Sequence, residues 1–183
     1  MLVFPVGWHL GVDRHPLKLI QPPHYRWRLG TNLGLLMLVV ILAIYWIWGR
    51  HWLNAAEIRV KAQEIGVSSQ ALFLVGGTYF TLINSLVEEY VWRWFVYTKC
   101  KILVSESQAV WLSALFFTLH HIIGLAIYSH DWRVVGVGTL AVFIAGAIWS
   151  QCYRVYHSIW PSYISHALAD LALQIVAWNV LFG

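Results

Sequence analysis

Five long apolar runs, separated by short polar stretches, set the pattern of the chain. The first is LGLLMLVVILAIYWIW, Leu33 to Trp48, which carries no charge. The second extends from Ala71 to about Tyr97, the third from Ala109 to Tyr128, the fourth from Val134 to about Tyr153, and the fifth from Trp160 to Phe182. Each is close to the roughly 20 residues an α-helix needs to cross ~30 Å of hydrocarbon. Only helices and closed barrels satisfy their backbone in lipid, and runs of this length without alternation predict helices. The first run, closed by Gly49 and Arg50, is expected to be a plain lipid-facing anchor. Between the first two, Ala55 to Ile65 reads as a short interfacial helix. Small residues in the fourth run, Gly136, Gly138, Ala141, Ala145, Gly146 and Ala147, suit close helix packing. The expected fold is all-α, a polytopic transmembrane bundle of about five spanning helices around an enclosed polar site.

Residues 1–30 are different. They hold Asp13, four basic residues and four prolines, Pro5, Pro16, Pro22 and Pro23, with no long apolar core, so they do not read as a cleaved signal peptide. They are expected to form an irregular or interfacial segment, with Trp8, Tyr25 and Trp27 as headgroup anchors. Residues 31–183 form the transmembrane domain.

Composition agrees with a membrane class. Of the residues, 60% are hydrophobic and 11% charged, against roughly 25% charged in soluble domains. Too few polar groups remain to cover a soluble surface. The net charge of +4 follows from basic residues between the runs, which fits topology and anionic lipid; no nucleic-acid motif accompanies them. Arg14, Lys18, Arg26, Arg28, Lys99, Lys101 and Arg154 would share one side, and Arg50, Arg59, Lys61 and Arg133 the other. This excess places the N-terminus in the cytoplasm and the C-terminus outside. The expected location is the cell membrane, as a multi-pass protein of a bacterial inner membrane. Cys100 and Cys152 match no metal spacing and imply no disulfide framework.

Ionisable groups interrupt the apolar runs. Glu88, Glu89 and Arg93 lie in the second, His120 and His121 in the third, and His166 and Asp170 in the fifth. A charge near the bilayer centre costs on the order of 3 kcal/mol on insertion scales, so such groups usually face the bundle interior and mark function. Glu89 and Arg93, at i and i+4, share a helix face and can pair. Glu88 is rotated by about 100° from Glu89 and can face a cavity. A carboxylate without its own arginine in a water-poor site suits a general base. His166 and Asp170 are also i and i+4, so Asp170 can orient the imidazole or help hold an oxyanion. Of His120 and His121, one is expected to serve the chemistry and the other to pack or face the interface. No H-E-x-x-H or G-x-S-x-G motif is present. Helical serines, Ser85 among them, are expected to bond backbone or pack.

Three segments resemble the CPBP family of intramembrane proteases (CAAX-processing and bacteriocin-processing). EEYVWR, Glu88 to Arg93, is similar to its E-E-x-x-x-R motif. SALFFTLHH, Ser113 to His121, resembles F-x-x-x-H, with Phe117 and His121 the favoured register over Phe116 and His120. YHSIWPSYISHALAD, Tyr156 to Asp170, resembles H-x-x-x-N/D behind a Ser-Ile/Leu-Trp-Pro stretch. The matching region covers roughly residues 72–180. The resemblance implies an endopeptidase in which Glu88 and His121 activate water, His166 and Asp170 stabilise the oxyanion, and Glu89, Arg93, Phe117 and His120 support the site. It implies a membrane-associated protein or peptide as substrate and leaves room for a membrane protein partner. No cofactor is expected; two histidines and a glutamate could bind zinc, but that reading is not favoured. The chain departs from the family where Asp170 stands at a position commonly Asn, where Trp94 follows the arginine instead of Gly, and in its short length. Two other readings of the buried polar set are a non-catalytic immunity, sorting or assembly factor, and a proton- or metal-handling membrane protein.

Overall fold

A computed structural model of the chain describes residues 3–12, 26–67 and 69–183. Helix α1 covers Val3–Gly11. It gives regular structure to the start of the segment expected to be irregular or interfacial; Asp13, Pro16, Pro22, Pro23 and Tyr25 lie outside the described residues. Among the described residues, five helices are long and apolar enough to span a membrane: α2 (Trp27–Trp52), α4 (Gln70–Leu103), α5 (Glu106–Tyr128), α6 (Trp132–Tyr156) and α7 (Trp160–Phe182). Between α2 and α4 lies the short helix α3, Ala55–Glu64, one residue shorter than the sequence pattern suggests. The described residues contain no strand. The protein is a multi-pass α-helical bundle.

Caps fix where helices begin. The side chains of Asn54 and Ser69 accept the amides of Glu57 and Leu72 at the starts of α3 and α4. Ser105 and Gln108 form a reciprocal capping box at the start of α5. Asp131 starts α6 by accepting the Arg133 amide, and its carboxylate also holds the Arg133 guanidinium. Helix α6 ends on His157, whose φ of 50° is left-handed; such a residue stops a helix by turning its last amide back onto the preceding turn.

Helices α5 and α6 form an antiparallel hairpin. Gly146 lets α6 approach the Ala114–Phe117 turn of α5, since a Cβ there would meet the Phe117 ring at 3.0 Å. Gly138 faces Leu125 in the same way, but Gly136 has nothing near its Cβ direction and faces outward. Helix α2 packs in parallel along α7, from Gly30 beside Pro161 to the Tyr45 hydroxyl, which donates to Asn179 Oδ1 at 2.6 Å. This corrects the reading of the first run as a plain lipid-facing anchor. Its Gly30 and Gly34 are buried, and a Cβ on Gly34 would meet Leu168 at 2.6 Å. The two glycines remove the side chains that would otherwise hold the helices apart.

Helix α4 crosses between these pairs and touches α5, α6 and α7. It is not uniformly α-helical. Turns wider than α occupy Phe80–Asn84 and Tyr90–Tyr97, on either side of the short α-helical stretch Ser85–Glu89. In the first, the Ser85 amide bonds the Phe80 carbonyl, an i→i+5 contact. Such turns are rare and concentrate at functional sites. Helix α3 is tied to the far ends of the bundle. Arg59 donates to the carbonyls of Val180 and Gly183, and Lys61 to that of Ile127. Cations suit the negative ends of helices α5 and α7. Lys61 also pairs with Glu57 at 2.8 Å, and that hydrogen bond pulls the Glu57 carboxyl below its ordinary range.

Candidate active site

The central stretch of α4 presents Ser85, Glu88, Glu89 and Arg93 inward, all buried. From α7 come His166 and Asp170, also buried, and from α5 comes the half-buried His121. Phe117 and Trp149 close the space between these helices as members of one core cluster.

Glu89 Oε1 accepts from His166 Nδ1 at 2.9 Å. Its other oxygen lies 3.2 Å from Arg93 Nε, one turn further along α4. Both side chains of that ion pair are fully buried. The Arg93 guanidinium also sits over the rings of Phe117, at 4.7 Å, and Trp149, at 5.5 Å, whose faces favour a cation. Glu88 turns away from Arg93. Its Oε1 accepts from Asn84 Nδ2 at 3.0 Å. Its Oε2 lies 3.7 Å from His121 Nε2 and 3.7 Å from His166 Nε2.

Each imidazole is oriented by its other nitrogen. His121 Nδ1 lies 2.9 Å from the Phe117 carbonyl, which can only accept, so Nδ1 carries the proton. Glu89 plays that part for His166, and the Trp149 indole stacks on the same ring at 4.1 Å and 17°. Trp149 is held in turn by Ser165, which accepts its indole N–H at 3.0 Å. The spacing of His166 and Asp170 suggested that Asp170 could orient the ring. The two are 3.7 Å apart, beyond hydrogen-bond range, and Glu89 holds the bond instead. Asp170 Oδ2 is engaged by Ser85 Oγ at 2.7 Å.

The structure therefore brings together Glu88, Glu89, Arg93, Phe117, His121, His166 and Asp170. His120 is not among them: it faces outward, 5.8 Å from the Trp92 ring. Phe116 faces outward too, whereas Phe117 is buried against both imidazoles, with ring centroids 4.3 Å from His121 and 6.0 Å from His166. Sequence reasoning did not place Asn84, Ser85 or Trp149 at the site; Ser85, expected to bond backbone or pack, does donate to the Thr81 carbonyl, and it reaches Asp170 as well. Asn84 and Ser85 stand one turn before Glu88 and Glu89, and that i, i+4 spacing was a usable signal. Trp149 had none, because its role depends on how α6 and α7 meet. No three His, Cys, Asp or Glu side chains among the described residues converge with metal-binding geometry.

A buried carboxylate facing two fixed imidazoles can accept a proton from water and pass it on. Comparison with known proteins gives the family. No curated protein and no solved structure matches the chain. The sequence pattern of one family, Type II CAAX prenyl endopeptidase Rce1-like, matches residues 70–172, from the start of α4 to the middle of α7 and thus every residue gathered at the site. The chain is a member of this Rce1-like family of membrane endopeptidases.

Proposed function

We propose that the protein is an intramembrane endopeptidase that hydrolyses a peptide bond of a membrane-associated protein or peptide, with water activated by Glu88 and His121. The observation that carries this reading is the position of Glu88 Oε2, 3.7 Å from the Nε2 atoms of both His121 and His166. Because His121 Nδ1–H is given to the Phe117 carbonyl, its Nε2 offers a lone pair toward Glu88. A water bound there meets two acceptors, which leaves its own lone pair free to attack a carbonyl carbon. Glu88 takes the proton as the C–O bond forms. His166 acts as the imidazolium: with Nδ1–H given to Glu89, its Nε2–H donates to the developing oxyanion. Collapse of the tetrahedral species breaks the C–N bond, and Glu88 returns its proton to the departing amine. Glu89 and Arg93 hold His166, and Asp170 lines the oxyanion side. No step uses a metal, and dialysis against a chelator is expected to leave activity unchanged.

The test compares wild type with Glu88→Gln at matched membrane levels, reading new peptide termini across the membrane proteome. The amide keeps the shape and removes the base. Termini present only with the wild type support the reading and name the substrate and bond. Identical profiles, with the natural host's membranes present, would leave the site with binding, assembly or ion handling.

A further inference from the structure

Gln174 stands one turn beyond Asp170 on the same face of α7. Its side chain is half-buried within a membrane span. Helix α4 makes room for it with a glycine, since a Cβ on Gly77 would meet Gln174 Oε1 at 2.7 Å. The amide stands in a cavity of about 540 Å³, between Phe73, Gly77 and Phe80 of α4 and Leu173 and Ala177 of α7, with α3 along one side. Two polar side chains line this otherwise apolar space, Ser129 and Gln174. The Ser129 hydroxyl accepts the Asp131 amide, whereas nothing among the described residues pairs with the Gln174 side chain. The cavity adjoins the catalytic groups along both helices. Phe80 opens the wide turn that ends on Asn84, whose amide holds Glu88. Small-ligand sites of roughly 300–1,000 Å³ have this character, an apolar lining with a few polar groups that fix orientation.

Resting on the endopeptidase reading, we propose that Gln174 is a substrate-binding residue. Its carboxamide pairs with the main chain of the substrate beside the bond that is cut, and the apolar walls take the neighbouring side chains. A bound hydrocarbon chain would leave the amide unpaired in an apolar setting, which is unfavourable. A peptide would not. In lipid a backbone satisfies its polar groups within a helix, and a helix shields its carbonyl carbons from attack. The stretch that is cut must therefore unwind, and its N–H and C=O groups then need partners in the enzyme. A carboxamide offers both a donor and an acceptor, so Gln174 can replace the helical bonds of one such residue.

The test is photolabelling of the full chain in lipid nanodiscs, carrying Glu88→Gln so that nothing is cut. Two probes are compared: an acetylated tri-leucine amide with a diazirine in its central side chain, and a diazirine fatty acid. The peptide is expected to label the cavity walls, within residues 73–80 and 173–177. Adding Gln174→Leu should weaken that label about tenfold, the equivalent of one hydrogen bond. Fatty-acid labelling should stay the same or rise, which shows the cavity intact. Gly77→Ala, whose methyl would displace the amide, should weaken the peptide label as well and serves if Gln174→Leu fails to fold. Peptide labelling indifferent to both substitutions would overturn the proposal. So would a cavity labelled by the fatty acid alone, which would mark a lipid site. Labelling needs no turnover, so its failure is separate from that of the endopeptidase reading, which the comparison of termini decides.

Discussion

The two adjacent histidines of α5 show how a single position separates chemistry from packing. His121 Nε2 faces Glu88, while His120 faces outward beside Trp92. Cleavage is therefore expected to fall by about 10²–10⁴-fold in His121→Ala and to stay within about twofold in His120→Ala, read as product termini at equal protein level. Arg93 differs from both, because its role is to balance a charge. With Glu89 and Arg93 fully buried, Arg93→Ala leaves a buried carboxylate without its cation, held only by His166. It should cost about 3–5 kcal/mol, seen as a lowered unfolding midpoint in detergent. The pairing of Glu89 with Arg93 was legible in the i, i+4 spacing. The bond from His166 to Glu89 was not, since two neighbouring carboxylates reach opposite nitrogens of one ring only once α4 and α7 have docked.

At the scale of elements, lipid removes the usual signal for which face packs. In water an amphipathic stripe marks the buried side, but a run such as Leu33 to Trp48 is apolar all round, so hydropathy located α2 without revealing its contact with α7. The informative residues were Gly30 and Gly34, just outside and just inside that run. Gly34→Ala would drive a Cβ to 2.6 Å from Leu168 Cδ1 and 3.0 Å from the Ser165 backbone. It should destabilise by about 1–3 kcal/mol, the usual cost of overpacking. Gly136→Ala meets nothing within 4 Å and should be neutral or stabilising by up to about 1 kcal/mol through helix propensity. Thermal unfolding of the two variants in one detergent separates them. The wide turns of α4 left no trace in the hydrophobic pattern either, because the lipid-facing residues of α4 are apolar on all sides and give no period that an extra residue could shift.

For the whole molecule, the number of spanning helices and the grouping of ionisable residues on three of them were legible, because lipid makes both long apolar runs and buried charges conspicuous. An odd number of spans puts the two ends of the described bundle on opposite sides. The distribution of Lys and Arg predicts that single cysteines placed in the connection between α4 and α5, or between α6 and α7, label from the cytoplasm. Those in the connection between α5 and α6 should label from outside. The reverse pattern would invert the side from which a substrate reaches Glu88.

The wide turns of α4 have a bearing on how such a helix can change over time. Each holds its neighbours out of step with an ordinary helix by about one residue. Deleting a single residue from Phe80–Asn84 would let the backbone relax into regular α form and swing everything before it by about 100°. Ser85, Glu88 and Glu89 would keep their sequence while losing the face presented by Thr81. On the proposed endopeptidase reading, length in this helix is itself a catalytic parameter, and a one-residue deletion at Leu82 or Ile83 should be as damaging as replacing a carboxylate.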